Sequence, residues 1–261
     1  MQNFIKYKNI QIAYTDTGRG EVIVLLHGFL ENLSMWEAIL PELPKKKRFI
    51  CVDLLGHGSS QRLGYIHTME EMAQSINHLL NQLNIKQATF LGHSMGGYVT
   101  LAFAELFPFR IKKMLLLNST PLADSSERVV NRNRAIRLVK QNKNAFVRMA
   151  ITNLFGKEGG EQSQEHINTL VEQAQQMPAE NIVAAIEGLK SRKDRTHILN
   201  NFTGEKIFLA GEEDEIVPLE SLRQLAKATQ TQLITFKGGH MTHLEAKEEL
   251  LGFFKNSIKI K

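Results

Sequence analysis

A chain of 261 residues is long enough for one large α/β domain with a substantial core, so two unrelated domains are not expected. Apolar residues make up 43% and charged residues 23%, a balance that excludes a disordered or a membrane-embedded chain. The net charge of +5 is mild and no nucleic-acid-binding module accompanies it, so nucleic acid is not an expected partner. The chain shows no secretory signal and no apolar run that could cross a bilayer, which predicts a cytoplasmic protein without a membrane partner.

Taken in chain order, the first predicted element is an antiparallel strand pair over 4–18, joined near Lys8 and Asn9. Short runs rich in Val, Ile, Leu and Phe follow, as expected for strands buried on both faces. These runs cover 21–28, 48–56, 87–94, 112–120, 205–213 and 231–239. Helices are predicted between them at 68–83, 96–106, 219–229 and 244–256. The alternation predicts an α/β fold with a mostly parallel central sheet and helices on both faces.

Residues 122–200 interrupt this alternation. The stretch is polar, helix-prone and poor in strand patterns, and it falls between two core strands. A structureless connection of that length is implausible in a compact domain. We therefore predict a core made of 1–121 and 201–261, with 122–200 inserted as a helical lid.

A serine between two glycines follows the run at 87–94. The segment Gly92-His93-Ser94-Met95-Gly96 fits the pattern G-x-S-x-G between a strand and a helix. Such a turn forces the serine into a strained conformation, and side chains two residues before and after it would collide, which suits glycine. The pattern predicts that the Ser94 hydroxyl is presented above the sheet edge as a nucleophile.

Two backbone amides are placed to stabilise an oxyanion beside this serine. The motif "LLHGF" ends an earlier strand, and the loop after it offers the N–H of Phe29. The N–H of Met95 supplies the second donor at the start of the following helix.

An acid and a base follow later strands, and the order Ser94, Asp214, His240 is the one that this architecture uses. Asp214 lies in "GEEDEIVP", a strand end just before a helix, and His240 lies in "FKGGHMTH", where two glycines free the loop to approach the serine. His243 is the competing base, but it is expected at a helix start in a capping or surface role. His27 and His93 are expected to hold the oxyanion loop and the serine turn.

In these motifs and their order the chain resembles the lid-bearing branch of the α/β-hydrolases over essentially its full length. The resemblance implies Ser94 as nucleophile, Asp214 as acid, His240 as base, and Phe29 and Met95 as oxyanion donors.

A serine activated in this way suits attack on a carbonyl carbon, so the predicted function is hydrolysis of a carboxylic ester of a small-molecule substrate through an acyl-enzyme. Neither a metal nor a cofactor is expected, and the sequence leaves the oligomeric state open. The resemblance also leaves open C–C bond hydrolysis of dicarbonyl compounds, the pyruvate elimination of menaquinone biosynthesis, and thioester cleavage. A non-catalytic receptor or scaffold is the remaining alternative.

The lid sequence offers two candidate substrate-binding residues, Arg128 and Arg132. A helix over 127–150 places both arginines on the side of its apolar face. That face comprises Ala135, Ile136, Leu138, Val139, Phe146 and Met149. At the helix start the arginines could simply reach water. Alternatively, one of them points over Ser94 and pairs with a substrate carboxylate, as lid arginines do in the pyruvate-eliminating relative.

Overall fold

The computed structural model describes residues 1–156 and 160–257, and within them eight strands form one sheet. The strands are β1 (Gln2–Tyr7), β2 (Ile10–Gly18), β3 (Glu21–Leu26), β4 (Lys47–Val52), β5 (Ala88–His93), β6 (Ile111–Leu117), β7 (Glu205–Gly211) and β8 (Gln232–Phe236).

The sheet is parallel except at one edge. Its strand order is β1-β2-β4-β3-β5-β6-β7-β8. Strand β2 pairs antiparallel with both β1 and β4, and all other neighbours pair in parallel. Because parallel strands end at the same sheet edge, the loops after β3, β5, β6, β7 and β8 meet there. The predicted antiparallel pair and the mostly parallel sheet are both confirmed.

Helices cover the two faces of this sheet. They are α1 (Met69–Gln82), α2 (Met95–Leu106), α3 (Ser126–Thr152), α4 (Gly160–Gln175), α5 (Ala179–Lys190), α6 (Thr196–Asn201), α7 (Leu219–Thr229), α8 (Thr242–Glu245) and α9 (Lys247–Ser257). Apolar side chains of α1, α2 and α7 pack on one face, and those of α9 pack with Trp36 on the other. This arrangement confirms the predicted α/β class with helices on both faces.

Helices α3 to α6 occupy the connection between β6 and β7, in the stretch for which an insertion is predicted. Residues of α3, α4 and α5 share an apolar cluster of their own, which reaches the core at Leu30. None of the helices in the described part of the chain is both long and apolar enough to cross a membrane.

The predicted apolar face of the first inserted helix is correct only in part. Ile136, Val139 and Phe146 are buried, but Met149 is 48% exposed. The helix is kinked at Asn142, whose backbone leaves the helical region (φ −153°, ψ 83°). The Asn142 side chain then accepts from the N–H of Ala145 at 3.0 Å and restarts the helix. The rotation of about 100° per residue that places side chains on one helix face therefore does not continue across the kink.

Candidate active site

The turn between β5 and α2 holds Ser94 in a strained backbone conformation, with φ at +49° and ψ at −112°. A Cβ on Gly92 would lie 2.4 Å from the carbonyl of Gly96, and one on Gly96 would lie 2.3 Å from the carbonyl of Leu26. No side chain fits at that separation, so the turn requires glycine at both positions. The result is a serine side chain raised at the carboxyl edge of the sheet.

Ser94, His240 and Asp214 form one hydrogen-bonded chain. The Oγ of Ser94 lies 2.8 Å from Nε2 of His240, and Nδ1 of His240 lies 2.8 Å from Oδ2 of Asp214. The His240 and Asp214 side chains are almost fully buried, at 2% and 1% exposure. Since the Asp214 carboxylate accepts from Nδ1–H, Nε2 is left as the acceptor for the serine proton.

The Asp214 carboxylate is held from three sides. Its Oδ1 accepts from the N–H groups of Ile216 and Val217, both at 2.8 Å, and its Oδ2 also accepts from Nδ2 of Asn118 at 2.9 Å. Burial alone would raise the pKa of Asp214, but the adjacent His240 and these donors outweigh it and hold that pKa below its ordinary value. The carboxylate is therefore charged at neutral pH.

Asn118 is a site residue that the sequence motifs do not reveal. It follows β6, is fully buried, and adopts a positive φ of 48°. Besides Asp214, its amide reaches the carbonyl oxygen of Gly239 at 3.2 Å, next to His240. An asparagine directly after a buried parallel strand is the only sequence signal for it.

The amide of Phe29 is oriented by its neighbours. Nε2 of His27 accepts from the N–H of Leu54 at 2.9 Å, so Nδ1 carries the proton and donates to the carbonyl of Gly28 at 2.7 Å. In a trans peptide the C=O and the following N–H point in opposite directions. With its carbonyl held by His27, the Gly28–Phe29 peptide directs the Phe29 N–H away from that ring.

Met95 opens α2 and contributes to the wall of the same cavity as Phe29. The first amides of a helix have no intrahelical acceptor and carry the positive end of the helix dipole. Both predicted oxyanion donors thus border the cavity that Ser94 and His240 line.

The surface or capping role expected for His243 is wrong. His243 is fully buried in α8, with its ring centroid 6.3 Å from that of Trp36 and 5.3 Å from that of His93. His243 is the second residue of this short helix, and its side chain faces the core. His243 lies behind His93 and does not reach Ser94 in the described contacts.

A cavity of about 360 Å³ opens above Ser94. Its wall is largely apolar and comes from the oxyanion loop, from α2 and from the inserted helices. The apolar lining includes Phe29, Tyr98, Phe146, Leu154, Ile186 and Leu189.

Arg128 and Arg132 both line this cavity. Arg128 donates from Nη2 to the carbonyl of Ile216 at 2.6 Å, and Arg132 donates from Nε to Asp124 at 3.1 Å. Both side chains are half-buried and bond to the chain, so recognition of a substrate carboxylate by either arginine stays a prediction. Within the described residues no group of three or more His, Cys, Asp or Glu could hold a metal ion.

A mostly parallel sheet, a strained serine between β5 and α2, and an acid and a histidine after β7 and β8 together define an α/β-hydrolase architecture. The family model of the alpha/beta hydrolase fold matches residues 21–247, and the chain belongs to that family.

Solved structures and curated proteins extend this comparison. A thermophilic esterase from Thermogutta terrifontis is 30% identical with a TM-score of 0.91, over 99% of this chain and 98% of that one. An enol-lactonase from Burkholderia xenovorans LB400 shares the fold at 20% identity and a TM-score of 0.89, over 98% and 99% of the two chains.

Two curated relatives align over shorter stretches. A 2-hydroxy-6-oxo-2,4-heptadienoate hydrolase from Pseudomonas putida is 32% identical over 114 residues, which is 42% of this chain and 41% of that protein. The chain spans only 31% of the length of an uncharacterized Mycobacterium tuberculosis protein, to which it is 33% identical over 107 residues, or 41% of this chain.

Proposed function

We propose that the protein is a serine hydrolase that cleaves a carboxylic ester through an acyl-enzyme. The observation that carries the proposal is the hydrogen-bonded chain from Ser94 through His240 to Asp214, at the base of a largely apolar cavity. The 30% identity to the Thermogutta terrifontis esterase over nearly the whole of both chains supports ester cleavage in particular.

In the first half-reaction the Ser94 oxygen attacks the ester carbonyl carbon while Nε2 of His240 takes the hydroxyl proton. The carbonyl oxygen becomes an oxyanion and accepts hydrogen bonds from the N–H groups of Phe29 and Met95. Asp214 stabilises the imidazolium and keeps its orientation. The tetrahedral intermediate then expels the alcohol, which leaves with the proton from His240, and the acyl group stays on Ser94.

In the second half-reaction water takes the place of the alcohol. His240 removes a proton from the water as its oxygen attacks the acyl carbon, and the same two amides stabilise the second oxyanion. Ser94 leaves with the proton returned by His240. The products are a carboxylic acid and the regenerated enzyme.

The cavity favours a small or medium acyl ester as substrate. Its volume of about 360 Å³ is at the lower end of the range of small-molecule pockets. We propose that 122–200 acts as a lid, since α3 and α5 supply Phe146, Ile186 and Leu189 to the cavity wall.

C–C bond hydrolysis is the second candidate, and one observation favours it: the 32% identity to the Pseudomonas putida 2-hydroxy-6-oxo-2,4-heptadienoate hydrolase. That resemblance covers 42% of the chain, whereas the resemblance to the esterase covers 99%. We therefore place ester hydrolysis first.

The proposed function is tested with purified protein on p-nitrophenyl esters of graded acyl length, a thioester series and a vinylogous dicarbonyl compound. We expect the highest kcat/KM on a short or medium ester, and none with Ser94→Ala. Faster turnover of the dicarbonyl compound would replace the first candidate by the second. Ester turnover that persists in Ser94→Ala, with contaminating esterases excluded by active-site labelling, would remove Ser94 as nucleophile.

A further inference from the structure

His93, the residue before the proposed nucleophile, faces a hydrogen-bond acceptor at each ring nitrogen. Its Nδ1 lies 2.8 Å from Oε2 of Glu31, and its Nε2 lies 2.9 Å from the carbonyl oxygen of His240. The side chains of His93 and Glu31 are 1% and 3% exposed. A carbonyl oxygen only accepts, so Nε2 of His93 must carry a proton.

The second proton of the pair lies on Nδ1 of His93 and not on Glu31. The same Oε2 atom accepts from the backbone N–H of Gly28 at 2.5 Å, which favours a carboxylate. Burial alone would raise the pKa of Glu31, but the charge of His93 outweighs it and lowers that pKa well below the ordinary value. Burial would likewise lower the pKa of His93, yet Glu31 raises it. The pair is an imidazolium and a carboxylate.

This pair connects the two loops that carry the proposed chemistry. On one side Glu31 holds the N–H of Gly28, directly before the Phe29 amide. On the other side His93 holds the backbone of His240, the proposed base. A Cβ on Gly28 would lie 2.5 Å from Oε2 of Glu31 and 2.8 Å from Nδ1 of His93, so the loop can close on the pair only with glycine there.

We infer that Glu31 and His93 form a buried charged pair that positions the oxyanion donor and the catalytic base relative to each other. The inference rests on the proposed function, because only that function makes the Phe29 N–H an oxyanion donor and His240 a catalytic base. Both residues act through the backbone of other residues, so they are positioning residues. Beside a carboxylate, a neutral His93 has a single N–H to donate, so it can hold either Glu31 or the carbonyl of His240, but not both.

Several titratable groups face this pair. Asp214 adds to the stabilisation of the His93 cation, while His27 and His243 lie near Glu31. The ring centroid of His240 lies 5.1 Å from that of His93. Glu31 is the negative group in direct contact with His93, so its removal should let burial lower the pKa of His93 and leave that ring neutral at physiological pH.

Nitrogen-15 NMR of the histidine side chains tests the protonation state without using activity. The wild-type protein and Ser94→Ala are measured at about pH 8, where an ordinary histidine is neutral, and the His93 signals are assigned by their loss in His93→Gln. We expect both nitrogens of His93 to be protonated in both proteins. A single protonated nitrogen would overturn the inference. If His93→Gln fails to fold, the His93 signals are assigned instead by their change in Glu31→Gln, which alters the direct partner of this ring.

Kinetics on the best ester then test the positioning role, with Glu31→Gln compared with Glu212→Gln. Glu212 accepts from the Thr235 hydroxyl at an exposed position, so it is a matched control. Misplacement of reacting groups by about 1 Å costs on the order of a hundredfold, so we expect kcat of Glu31→Gln to fall by about tenfold or more at pH 8, with KM little changed.

The loss in Glu31→Gln should remain between about pH 8 and pH 6, because without the Glu31 charge burial keeps His93 neutral throughout that range. Glu31→Asp, which restores the charge, should recover part of kcat. An unchanged kcat in Glu31→Gln, or no recovery of kcat in Glu31→Asp, would overturn the inference. Failure of the proposed function is recognised separately, because Ser94→Ala would then retain ester hydrolysis whatever the state of His93.

Discussion

Ser94 keeps its positive φ because the turn around it is held on both sides. Its N–H donates to the carbonyl of Leu117 at 2.9 Å, and its carbonyl accepts from the Ser119 hydroxyl at 2.8 Å. Backbone strain of this kind costs on the order of 1–3 kcal/mol and persists only where surrounding contacts impose it. The contacts from the ends of β6 offset that cost and fix the hydroxyl within reach of His240.

Asp214→Ala should be far more damaging than Glu212→Ala. Asp214 orients His240 from a buried site, whereas Glu212 is exposed and accepts from the Thr235 hydroxyl. Loss of the acid from such a unit lowers kcat by about four orders of magnitude, and Glu212→Ala should change it little. Steady-state kinetics on an activated ester check the ranking, and equal losses in the two variants would contradict the register assigned to this loop.

At this scale the sequence identifies residues with a local signature and misses those without one. Ser94 has flanking glycines, and His240 has two glycines before it. These motifs and their order along the chain therefore predict both residues. Asn118 and Glu31 have no such pattern, and their partners are 96 and 62 residues away along the chain. His243 was misplaced because a position in a short helix does not determine which side of the helix faces the core.

At the scale of elements, the two ends of the inserted segment are joined by a buried ion pair. Nη1 of Arg192, after α5, lies 2.6 Å from Oδ1 of Asp124, before α3, with side chains 2% and 0% exposed. Arg132 contacts the other oxygen of Asp124 at 3.1 Å. The Arg192 guanidinium also stacks 4.3 Å from the ring centroid of Tyr98, which lines the cavity. Asp124 therefore holds the base of the insertion against α2.

Asp124→Ala should destabilise the protein strongly, because it leaves two arginines without their buried partner. Breaking one side of a buried ion pair costs about 3–5 kcal/mol. Lys8→Ala is the control, since Lys8 pairs with Glu71 at a side chain that is 49% exposed, and exposed pairs contribute about 1 kcal/mol or less. Urea denaturation at neutral pH measures both. Equal, small effects would show that Asp124 does not hold the insertion.

The arginines of α3 lead to a prediction about substrate charge. Arg128 lines the cavity and bonds to a neutral carbonyl, whereas Arg132 is paired with Asp124. We therefore expect Arg128→Ala to lower kcat/KM for an ester with a free carboxylate by about tenfold or more relative to a neutral ester of equal size, as expected for a charge-assisted hydrogen bond. Arg132→Ala should shift that ratio less.

Arg137→Ala is the control for this comparison, because Arg137 is exposed on the same helix. It should leave the ratio of the two kcat/KM values unchanged. If Arg128→Ala also leaves this ratio unchanged, recognition of an anionic substrate by Arg128 is excluded. A neutral, apolar acyl ester is then the better candidate.

At the scale of the whole molecule, the positions of the buried strands along the chain were predictable from the sequence because each parallel strand is a short apolar run. The runs extend past the strands, however: the run at 21–28 continues beyond β3, which ends at Leu26. The two residues of the run beyond it, His27 and Gly28, are as buried as the strand because they build the site. Apolar periodicity measures burial, so it cannot mark where the strand ends and the functional loop begins.

The molecule as a whole should lose stability steeply in mild acid. Burial lowers the pKa of His27 to about 3, of His57 to about 4, of His67 to about 3 and of His243 to about 3. In the unfolded chain these groups bind protons below about pH 6.5, but in the folded protein they stay neutral. Unfolding therefore takes up protons as the pH falls, and stability is lost from about pH 6.5 downward toward these lowered values.

Each such histidine lowers the free energy of unfolding by on the order of 1 kcal/mol for every pH unit below about 6.5 in this window. His93 acts in the opposite direction, because its raised pKa makes the folded form hold its proton more tightly. The four lowered histidines outweigh His93 and leave a net loss of several kcal/mol in the free energy of unfolding by about pH 5, a large part of the 5–15 kcal/mol typical of a folded domain.

Urea denaturation at a series of pH values between about 7 and 5 measures the slope of the free energy of unfolding against pH. His57→Gln should reduce that slope by about one proton, while His197→Gln, at a side chain 56% exposed, should leave it unchanged. A free energy of unfolding that stays constant across the window would show that these buried rings are already charged in the folded protein.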